Sequence, residues 1–270
     1  MSTASVAAPA APRSGRMPLR WVVADAMAVT WRNLLKYVRV PQLLVFSTIQ
    51  PIMFVLLFVY VFGGALYQST AAAVQILIPG IIIQTMVFGS QQTGVGLAED
   101  LQKGIVDRFR SLPMARSAVL AGRTLSDTVR NLFVALLMLG VGALLGFRPE
   151  AGIPAMAAGV GLGVLFGLAF SWISATIGMA VKDAESAQTS SFLWVFPLVF
   201  ASSSFVPVET MPGWLQAFAK INPITSAVDA MRALMNGGPT EVAVLRTLAW
   251  VGAILVVFIP LSVRKYRKAA

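Results

Sequence analysis

Six apolar segments divide this 270-residue sequence, and each approaches the roughly 20 residues that a helix needs to cross the hydrocarbon core of a bilayer. They lie at 41–62, 74–98, 131–147, 153–181, 187–206 and 243–263. The third is the shortest, and we expect its helix to begin earlier, within 118–128. Because a segment in lipid must satisfy its backbone hydrogen bonds internally, the pattern predicts an all-α membrane protein with six transmembrane helices.

The composition agrees with a membrane protein and narrows its chemistry. Hydrophobic residues make up 57% of the chain and charged residues 12%, whereas soluble domains carry about 25% charged residues. The absence of cysteine and histidine excludes disulfides, thiolate or imidazole metal sites and the usual catalytic base. We therefore expect no metal site and no catalytic residue in this chain.

The positions of lysine and arginine predict the orientation of the chain. Most of the 21 basic residues precede the first segment, lie between the second and third, or follow the sixth. The positive-inside rule then places both termini in the cytoplasm. Residues 1–18 are rich in Ala, Ser and Pro and lack the apolar core of a signal peptide, so we predict a disordered cytoplasmic tail. Because the basic residues flank apolar segments, the net charge of +10 indicates a membrane rather than a nucleic-acid partner.

The centres of the six segments lack Asp, Glu, Lys and Arg. Carriers driven by protons or ions usually need such a charge within the membrane, because it binds and releases the coupling ion. The segments also lack paired carboxylates, a Ser/His/Asp set and an HExxH motif. An ATPase-independent carrier and a membrane-embedded hydrolase are therefore disfavoured.

One charged stretch, LAEDLQKGIVDRFRSLPMAR at 97–116, interrupts the apolar sequence on the predicted cytoplasmic side. Helical periodicity over 99–112 predicts one apolar face, and Pro113 would end the helix. That face contains Leu101, Ile105, Phe109 and Leu112. The residues alone allow two interpretations of this stretch: a helix that docks on a partner, or a loop that only joins two spans.

The order of residues in EDLQKGIVDRFRSLPMARSAVLAGR, at 99–123, resembles the cytoplasmic loop of ABC-2 type transporter permeases. Within that family it is most similar to the daunorubicin/doxorubicin-resistance permease type. A second stretch, INPITSAVDAMRAL at 221–234, resembles the family element between the fifth and sixth spans. The matching loop residues are Asp100, Gly104, Asp107, Arg108, Phe109, Arg110, Ser111, Leu112, Pro113, Met114 and Arg116.

The resemblance implies that 19–270 is the transmembrane domain of an ABC-2 exporter in the plasma membrane. Such a permease would form a homodimer, bind two copies of a cytoplasmic ATPase and move hydrophobic or amphipathic drugs or lipids out of the cell. Export of polysaccharide or lipid-linked glycan is the alternative within the family. No GxxxxGK[ST] motif occurs in this chain, so ATP and Mg would belong to the partner and this chain would not be an enzyme.

The resemblance also implies that 99–116 is a coupling helix that docks on the ATPase. The residues expected to contact the ATPase are Asp100, Leu101, Gly104, Ile105, Arg108, Phe109, Arg110, Pro113, Met114 and Arg116.

Two further amphipathic regions flank the apolar core. Residues 19–40 are predicted to form an interfacial helix on the membrane lipids, with Trp21 and Trp31 as anchors. Residues 207–238 are predicted to form an extracellular or re-entrant hairpin of two helices, 212–221 and 225–235.

The fourth segment carries small residues at every fourth position, a spacing that favours close packing of another helix, more within the chain than at a dimer seam. These residues are Ala155, Gly159, Gly163, Gly167, Ser171 and Ala175.

Uncharged polar and aromatic side chains within the segments are candidates for a cargo pathway. A polar group in lipid must find a partner, so these side chains should face the bundle or a dimer interface. Amides and aromatic rings suit a hydrophobic or amphipathic cargo, with ordinary interhelical packing as the alternative. The candidates are Gln84, Gln91, Phe192, Phe196, Phe200 and Ser203.

Overall fold

A computed structural model describes residues 19–39, 41–67, 69–105 and 116–269, and these residues form helices without any strand. The predicted tail, 1–18, lies outside them. The helices are α1 (Leu19–Arg39), α2 (Pro41–Leu56), α3 (Gly63–Leu66), α4 (Thr70–Gln102), α5 (Arg116–Leu144), α6 (Gly152–Gly178), α7 (Ala184–Phe200), α8 (Gly213–Ile221), α9 (Pro223–Asn236) and α10 (Glu241–Ala269). A π-helical turn (Leu57–Val61) follows α2, and a 3₁₀ turn (Val208–Thr210) precedes α8.

Four of the six predicted spans correspond to helices that are long and apolar enough to cross a membrane. They are α4, the part of α5 from Ala118, α6, and α10 as far as Tyr266. The first and fifth predicted spans correspond to shorter helices. The apolar helix Thr48–Val61 runs through α2 into its π-turn, and α7 has 17 residues. The chain bends at Ser202–Ser204, shortly after α7 ends. The helix therefore stops before the end of the apolar sequence predicted as the fifth span, 187–206.

Helix α5 starts at Arg116, which confirms that the third span begins before its apolar core. Arg123, Asp127 and Arg130, which precede the apolar core at 131–147, therefore lie within a membrane-length helix. Their charges are tolerated in the helix because they are paired inside the bundle rather than exposed to lipid.

Helix α4 is the centre of the bundle and packs against α5, α6, α7 and α9. Its first half supplies fully buried apolar side chains to the main core, including Leu77, Ile78, Ile81 and Ile82. Its tightest neighbour is α6. A Cβ atom added at Gly178 would overlap the carbonyl of Gly94, so only glycine allows this crossing.

The small-residue stripe of α6 faces other helices of the same chain, as predicted. A Cβ atom at Gly163 would lie 2.6 Å from Cε of Met231 on α9 and 2.9 Å from Sδ of Met86 on α4. A Cβ atom at Gly159 would contact Leu234 on α9 at 3.4 Å. The stripe thus lets α4 and α9 approach α6 closely.

Helices α8 and α9 form the predicted helical pair. Asn222 separates them: its Oδ1 accepts a hydrogen bond from the Ile224 amide at 2.9 Å and caps α9. Its Nδ2 donates to the carbonyls of Leu198 and Ala201 at 2.7 and 2.9 Å, which ties the pair to the end of α7. Gly237, with φ +84°, ends α9.

A proline in α4 explains how α9 attaches to it. Pro79 has no amide hydrogen, so the Gln75 carbonyl one turn earlier loses its helical partner. Nδ2 of Asn236 donates to that carbonyl at 2.7 Å. The Arg232 guanidinium donates to the next carbonyl, that of Ile76, at 3.0 Å, and to the Ser203 carbonyl at 2.9 Å. Helix α9 is therefore held to α4 beside the proline.

Helix α1, the amphipathic helix that precedes the first predicted span, lies against α5. The Thr30 hydroxyl donates to the Gly122 carbonyl at 3.1 Å, and a Cβ atom at Gly122 would come within 2.6 Å of the Ala26 carbonyl. Trp21 and Trp31 remain more than half exposed. These rings are free to anchor the helix at the membrane interface predicted from the sequence.

Candidate functional site

The described part of the predicted coupling segment is not one helix. Helix α4 continues to Gln102, and Gly104 adopts φ +64°, a left-handed conformation that ends it. Glu99–Gln102 are helical, as predicted, but they form the end of α4, and the turn at Lys103–Gly104 breaks the single helix predicted over 99–112. Arg108, Phe109, Arg110, Pro113 and Met114 lie outside the described residues, as does the side chain of Arg116, the first residue of α5.

Two of the predicted ATPase contacts point into the permease. Asp100 is 3% exposed, and its carboxylate lies 3.6 Å from the guanidinium groups of Arg32 on α1 and Arg123 on α5. Leu101 packs against the cluster that contains Leu97 and Leu120. These positions argue against direct contact of Asp100 or Leu101 with a partner. Gly104, Ile105 and the residues that follow remain the predicted contact.

Asp127 is the centre of a buried ionic network that joins α1, α4 and α5. Its side chain is fully buried and accepts hydrogen bonds from the Tyr37 hydroxyl at 3.1 Å and from the Thr93 hydroxyl. Arg130 lies 3.8 Å from it and Arg123 lies 4.0 Å from it. Burial raises the pKa of the Tyr37 phenol above its usual value, although the Arg130 charge opposes the shift. The phenol therefore stays protonated and able to donate.

Sequence reasoning missed this network, although a signal was present. Arg123, Asp127 and Arg130 are spaced by four and three residues, which places them on one face of a helix. The sequence alone does not show that this face packs against α1 and α4, which supply Tyr37 and Thr93.

A cleft lies beside Arg130 and between α2, α4 and α5. It is open to the outside and holds about 580 Å³ of empty space when its open mouth is included. Its lining includes apolar side chains of Phe54, Phe88 and Val134 and the buried amides of Gln84 and Asn131. Oε1 of Gln84 and Nδ2 of Asn131 have no hydrogen-bond partner among the described residues. The cleft therefore combines apolar rings with several amide groups and one guanidinium group.

Aromatic rings continue from this cleft along the bundle in a chain that we call the aromatic belt. Phe88 lies 6.4 Å from Phe192, and the rings of Phe192, Phe196 and Phe200 follow at 5.1 and 4.3 Å between centroids. Phe205 connects this row to α2 and its π-turn, at 5.2 Å from Phe200 and 4.3 Å from Phe58. The belt comprises Phe54, Phe58, Phe62, Phe88, Phe192, Phe196, Phe200 and Phe205.

The structure thus brings most, but not all, of the predicted pathway residues together. Phe192, Phe196 and Phe200 share the belt and are 38–50% exposed, and Gln84 lines the adjoining cleft. Gln91 is buried but does not line the cleft. Ser203 is buried too, and its hydroxyl donates to Asp229 at 2.7 Å. Sequence reasoning missed the phenylalanines of α2 and Phe205, because a belt assembled from several helices has no local period.

The Ser203 contact belongs to a second polar cluster at the other end of the bundle. Asp229 accepts a hydrogen bond from the Ser203 hydroxyl and lies 3.6 Å from the Arg232 guanidinium. That guanidinium also donates to the Ile76 carbonyl and so holds α9 to α4. This cluster supports the helical pair rather than the belt. Across the part of the chain that the structure describes, no group of three Asp or Glu side chains is placed to hold a metal ion.

Comparison with known proteins decides the family. Residues 25–236 match the sequence description of the ABC-2 type transporter family. This chain belongs to that family. A daunorubicin resistance ABC transporter permease protein of Streptomyces coeruleorubidus is 35% identical over 255 residues, covering 94% of this chain and 90% of the relative. A probable doxorubicin resistance ABC transporter permease protein of Mycobacterium tuberculosis is 28% identical over 253 residues, covering 93% and 91%.

Membership confirms the resemblance read from the two motifs and gives the chain its general role. ABC-2 permeases are the membrane subunits of their transporters, and this one is a multi-pass protein of the plasma membrane. The cleft and the aromatic belt are therefore features of a transport subunit.

Proposed function

We propose that this ABC-2 permease forms the pathway of an ATP-driven exporter for hydrophobic or amphipathic compounds, such as drugs or lipids. ATP and Mg would be bound by a separate cytoplasmic ATPase. The observation that carries the proposal is the aromatic belt, which adjoins a cleft with two buried amides. Phenylalanine rings offer large apolar surface for a flat or greasy cargo, and the amides offer hydrogen bonds that orient it.

Two observations favour drug or lipid export over the glycan alternative. The belt consists of phenylalanine rings, which carry no hydrogen-bonding group. A glycan presents hydroxyl groups along its whole length, and these need hydrogen-bond partners. Two relatives, 35% and 28% identical to this chain, also carry names of daunorubicin and doxorubicin resistance. Both drugs named there are cargo candidates for direct testing.

The proposed assembly follows the family resemblance. Two copies of the permease, each with six spans and both termini in the cytoplasm, would bind two ATPase subunits. The exposed phenylalanines of α7 would then face the pathway between the copies. The segment 104–116 would dock on the ATPase, while Asp100 anchors the end of α4 to α1 and α5.

Transport in reconstituted vesicles tests the proposal. The permease and its co-purified ATPase are placed in proteoliposomes, and ATP-dependent movement of daunorubicin is followed by its fluorescence. We expect ATP-dependent movement that falls several-fold in Phe196→Ala. The matched control is Ile153→Ala, an exposed apolar residue at the start of α6 and outside the belt. Movement that does not need ATP, or equal loss in both variants, would overturn the proposal.

A further inference from the structure

A second cavity lies beside Asp229, between the 3₁₀ turn and helices α8, α9 and α10, and we call it the outer cavity. It is open to the outside and holds about 780 Å³ of empty space when its open mouth is included. Its described lining shares no residue with the cleft beside Arg130 or with the aromatic belt. The orientation predicted from the sequence places this end of the bundle outside the cell.

The lining of the outer cavity carries charges of both signs. Glu209 of the 3₁₀ turn and Asp229 of α9 contribute carboxylates, and Lys220 of α8 and Arg246 of α10 contribute cations. The remainder of the described lining is apolar or hydroxyl-bearing. A ligand that carries both an anionic and a cationic group would therefore complement this lining better than an ion of one sign.

Most of these charges are not used within the fold. Among the described residues, Glu209, Lys220 and Arg246 form no salt bridge, and all three are exposed. Asp229 lies 3.6 Å from the Arg232 guanidinium, yet its side chain is 45% exposed. All four charged groups of the lining can therefore meet a ligand that enters the cavity.

The two carboxylates influence each other across the cavity. Burial raises the pKa of the Asp229 carboxyl above its usual value, and the Glu209 charge adds to this rise, while Ser203 and Arg232 oppose it. The Glu209 carboxylate is thus close enough to repel that of Asp229. An ammonium group placed between them would stabilise the charged form of both.

The lining favours a primary ammonium group over a quaternary one. A primary ammonium group has three N–H donors, which the two carboxylates and the hydroxyl groups of Thr225 and Ser226 can accept. A quaternary ammonium group has no N–H and is typically held by aromatic rings. The described residues that line the outer cavity include no aromatic ring.

The surroundings of the outer cavity suit a membrane–water interface. Arg246 lies in the second turn of α10, a helix of membrane-spanning length. Trp214 on α8 and Trp250 on α10 are exposed, as tryptophans at membrane interfaces commonly are. Val242 and Leu245 of α10 are also exposed apolar side chains, so acyl chains can lie along this helix beside the cavity.

We infer that the outer cavity binds the headgroup of phosphatidylethanolamine from the membrane leaflet at this end of the bundle, which is the outer leaflet in the predicted orientation. The ammonium group would lie between Glu209 and Asp229, the phosphate would contact Lys220 and Arg246, and the acyl chains would follow α10. This lipid is a bound partner and not the cargo, so the inference does not rest on the proposed export.

Competition among three phospholipids tests the inference. The full-length permease with its co-purified ATPase is equilibrated in mild detergent with equal amounts of palmitoyl-oleoyl phosphatidylethanolamine, phosphatidylcholine and phosphatidylglycerol. Native mass spectrometry then counts the lipids that remain on each permease copy as the collision energy is raised. We expect phosphatidylethanolamine to be retained about tenfold more than either competitor, the ratio that about 1.4 kcal/mol produces. Phosphatidylcholine lacks N–H donors, and phosphatidylglycerol lacks a cation for the carboxylates.

Two variants separate recognition of the ammonium group from recognition of the phosphate. Glu209→Gln should remove most of the preference for phosphatidylethanolamine over phosphatidylcholine, because it removes a charged acceptor. Arg246→Gln should lower the retention of both lipids several-fold without changing their ratio, because both carry the phosphate. The matched controls are Glu150→Gln and Arg148→Gln, exposed charges on the loop between α5 and α6 that do not line the cavity. That loop lies at the same end of the bundle, since the Ala151 amide donates to the Met235 carbonyl at the end of α9.

Several results would overturn the inference. These are equal retention of the three lipids, a preference for phosphatidylcholine or phosphatidylglycerol, and equal effects of Glu209→Gln and Glu150→Gln. Displacement of the lipid by an equal concentration of glycerophosphoethanolamine, which has no acyl chains, would show that the ligand need not be a membrane lipid. Displacement by daunorubicin would assign the outer cavity to the cargo instead.

Discussion

Asp127 shows how one buried carboxylate can join three helices. It accepts hydrogen bonds from a hydroxyl group of α1 and a hydroxyl group of α4, and it lies beside two arginines of its own helix. Burying an ion is costly, and removing one partner leaves the others buried without compensation. The stability of the end of the bundle that contains Asp127 should therefore depend on this side chain more than on any exposed ion pair.

Replacing Asp127 tests this dependence. Asp127→Ala should lower the free energy of unfolding by about 3–5 kcal/mol, because two arginines and two hydroxyl groups each lose one buried partner. Thermal unfolding of the purified permease, followed by tryptophan fluorescence, measures the loss. Glu99→Ala is the control: Glu99 is partly exposed and pairs with the largely exposed Lys103 at 3.6 Å, so its removal should cost about 0–1 kcal/mol. Similar losses in the two variants would contradict the role given to Asp127.

At the scale of elements, the crossing of α4 and α6 depends on the absence of side chains. Gly178→Ala should destabilise the protein by about 1–3 kcal/mol, because its Cβ would overlap the backbone of Gly94 and force the helices apart. Gly161→Ala on the same helix has open space around it and should be neutral or stabilising by up to about 1 kcal/mol. Thermal unfolding of both variants checks this. Equal effects would mean that the crossing tolerates a methyl group.

The attachment of α9 to α4 can be tested by a double-mutant cycle. Asn236→Ala should cost about 1–3 kcal/mol, because it leaves the Gln75 carbonyl without a partner. Pro79→Ala restores an amide hydrogen that can reach the same carbonyl, so Asn236→Ala should cost less in that background. Unfolding free energies of the four proteins give the coupling. Strict additivity would contradict the account of the proline.

The elements that the sequence predicts well are those with local signals. Asn222–Pro223 and Gly237 mark the ends of α8 and α9, and the spacing of small residues in α6 correctly indicates packing within the chain. Features that depend on tertiary contacts were missed. The predicted helix over 99–112 overlooked the break at Gly104, and the pairing of Asp100 with Arg32 joins residues far apart in the sequence.

The candidate site divides in the same way. Hydropathy and residue type identified Gln84 and the phenylalanines of α7 as pathway candidates, because polar or aromatic residues stand out in an apolar segment. The cleft itself is formed by three helices, so its members from α2 and α5 could not be assigned before those helices were placed. Arg130 lines the cleft because α5 begins at Arg116 and continues through position 130.

At the scale of the whole molecule, α4 connects the regions that an exporter must coordinate. Near its start it is joined to α9 through Gln75 and Ile76, and near its end Asp100 joins it to α1 and α5. The part of the predicted coupling segment that lies beyond α4 begins at the turn of Gly104. We expect a push on this segment to move α4, and with it the side of the cleft that carries Gln84 and Phe88.

Charge reversal in the predicted coupling segment tests this link. Arg108→Glu or Arg110→Glu should abolish association with the ATPase, because these arginines are expected to pair with acidic residues on it. Co-purification measures association. Lys220→Glu, a charge reversal on α8 far along the chain from the segment, is the control and should leave association intact. Undiminished association in the arginine variants would show that the segment does not dock.

The measurement that bears most directly on the central claim is purification of the tagged wild-type chain from its native host in mild detergent, with mass spectrometry of the proteins that accompany it and their stoichiometry. We predict a P-loop ATPase in an amount equal to the permease, and ATP hydrolysis by the purified complex. Recovery of a permease that still transports its cargo with no ATPase bound would contradict the claim that this chain is the membrane subunit of an ATP-driven exporter.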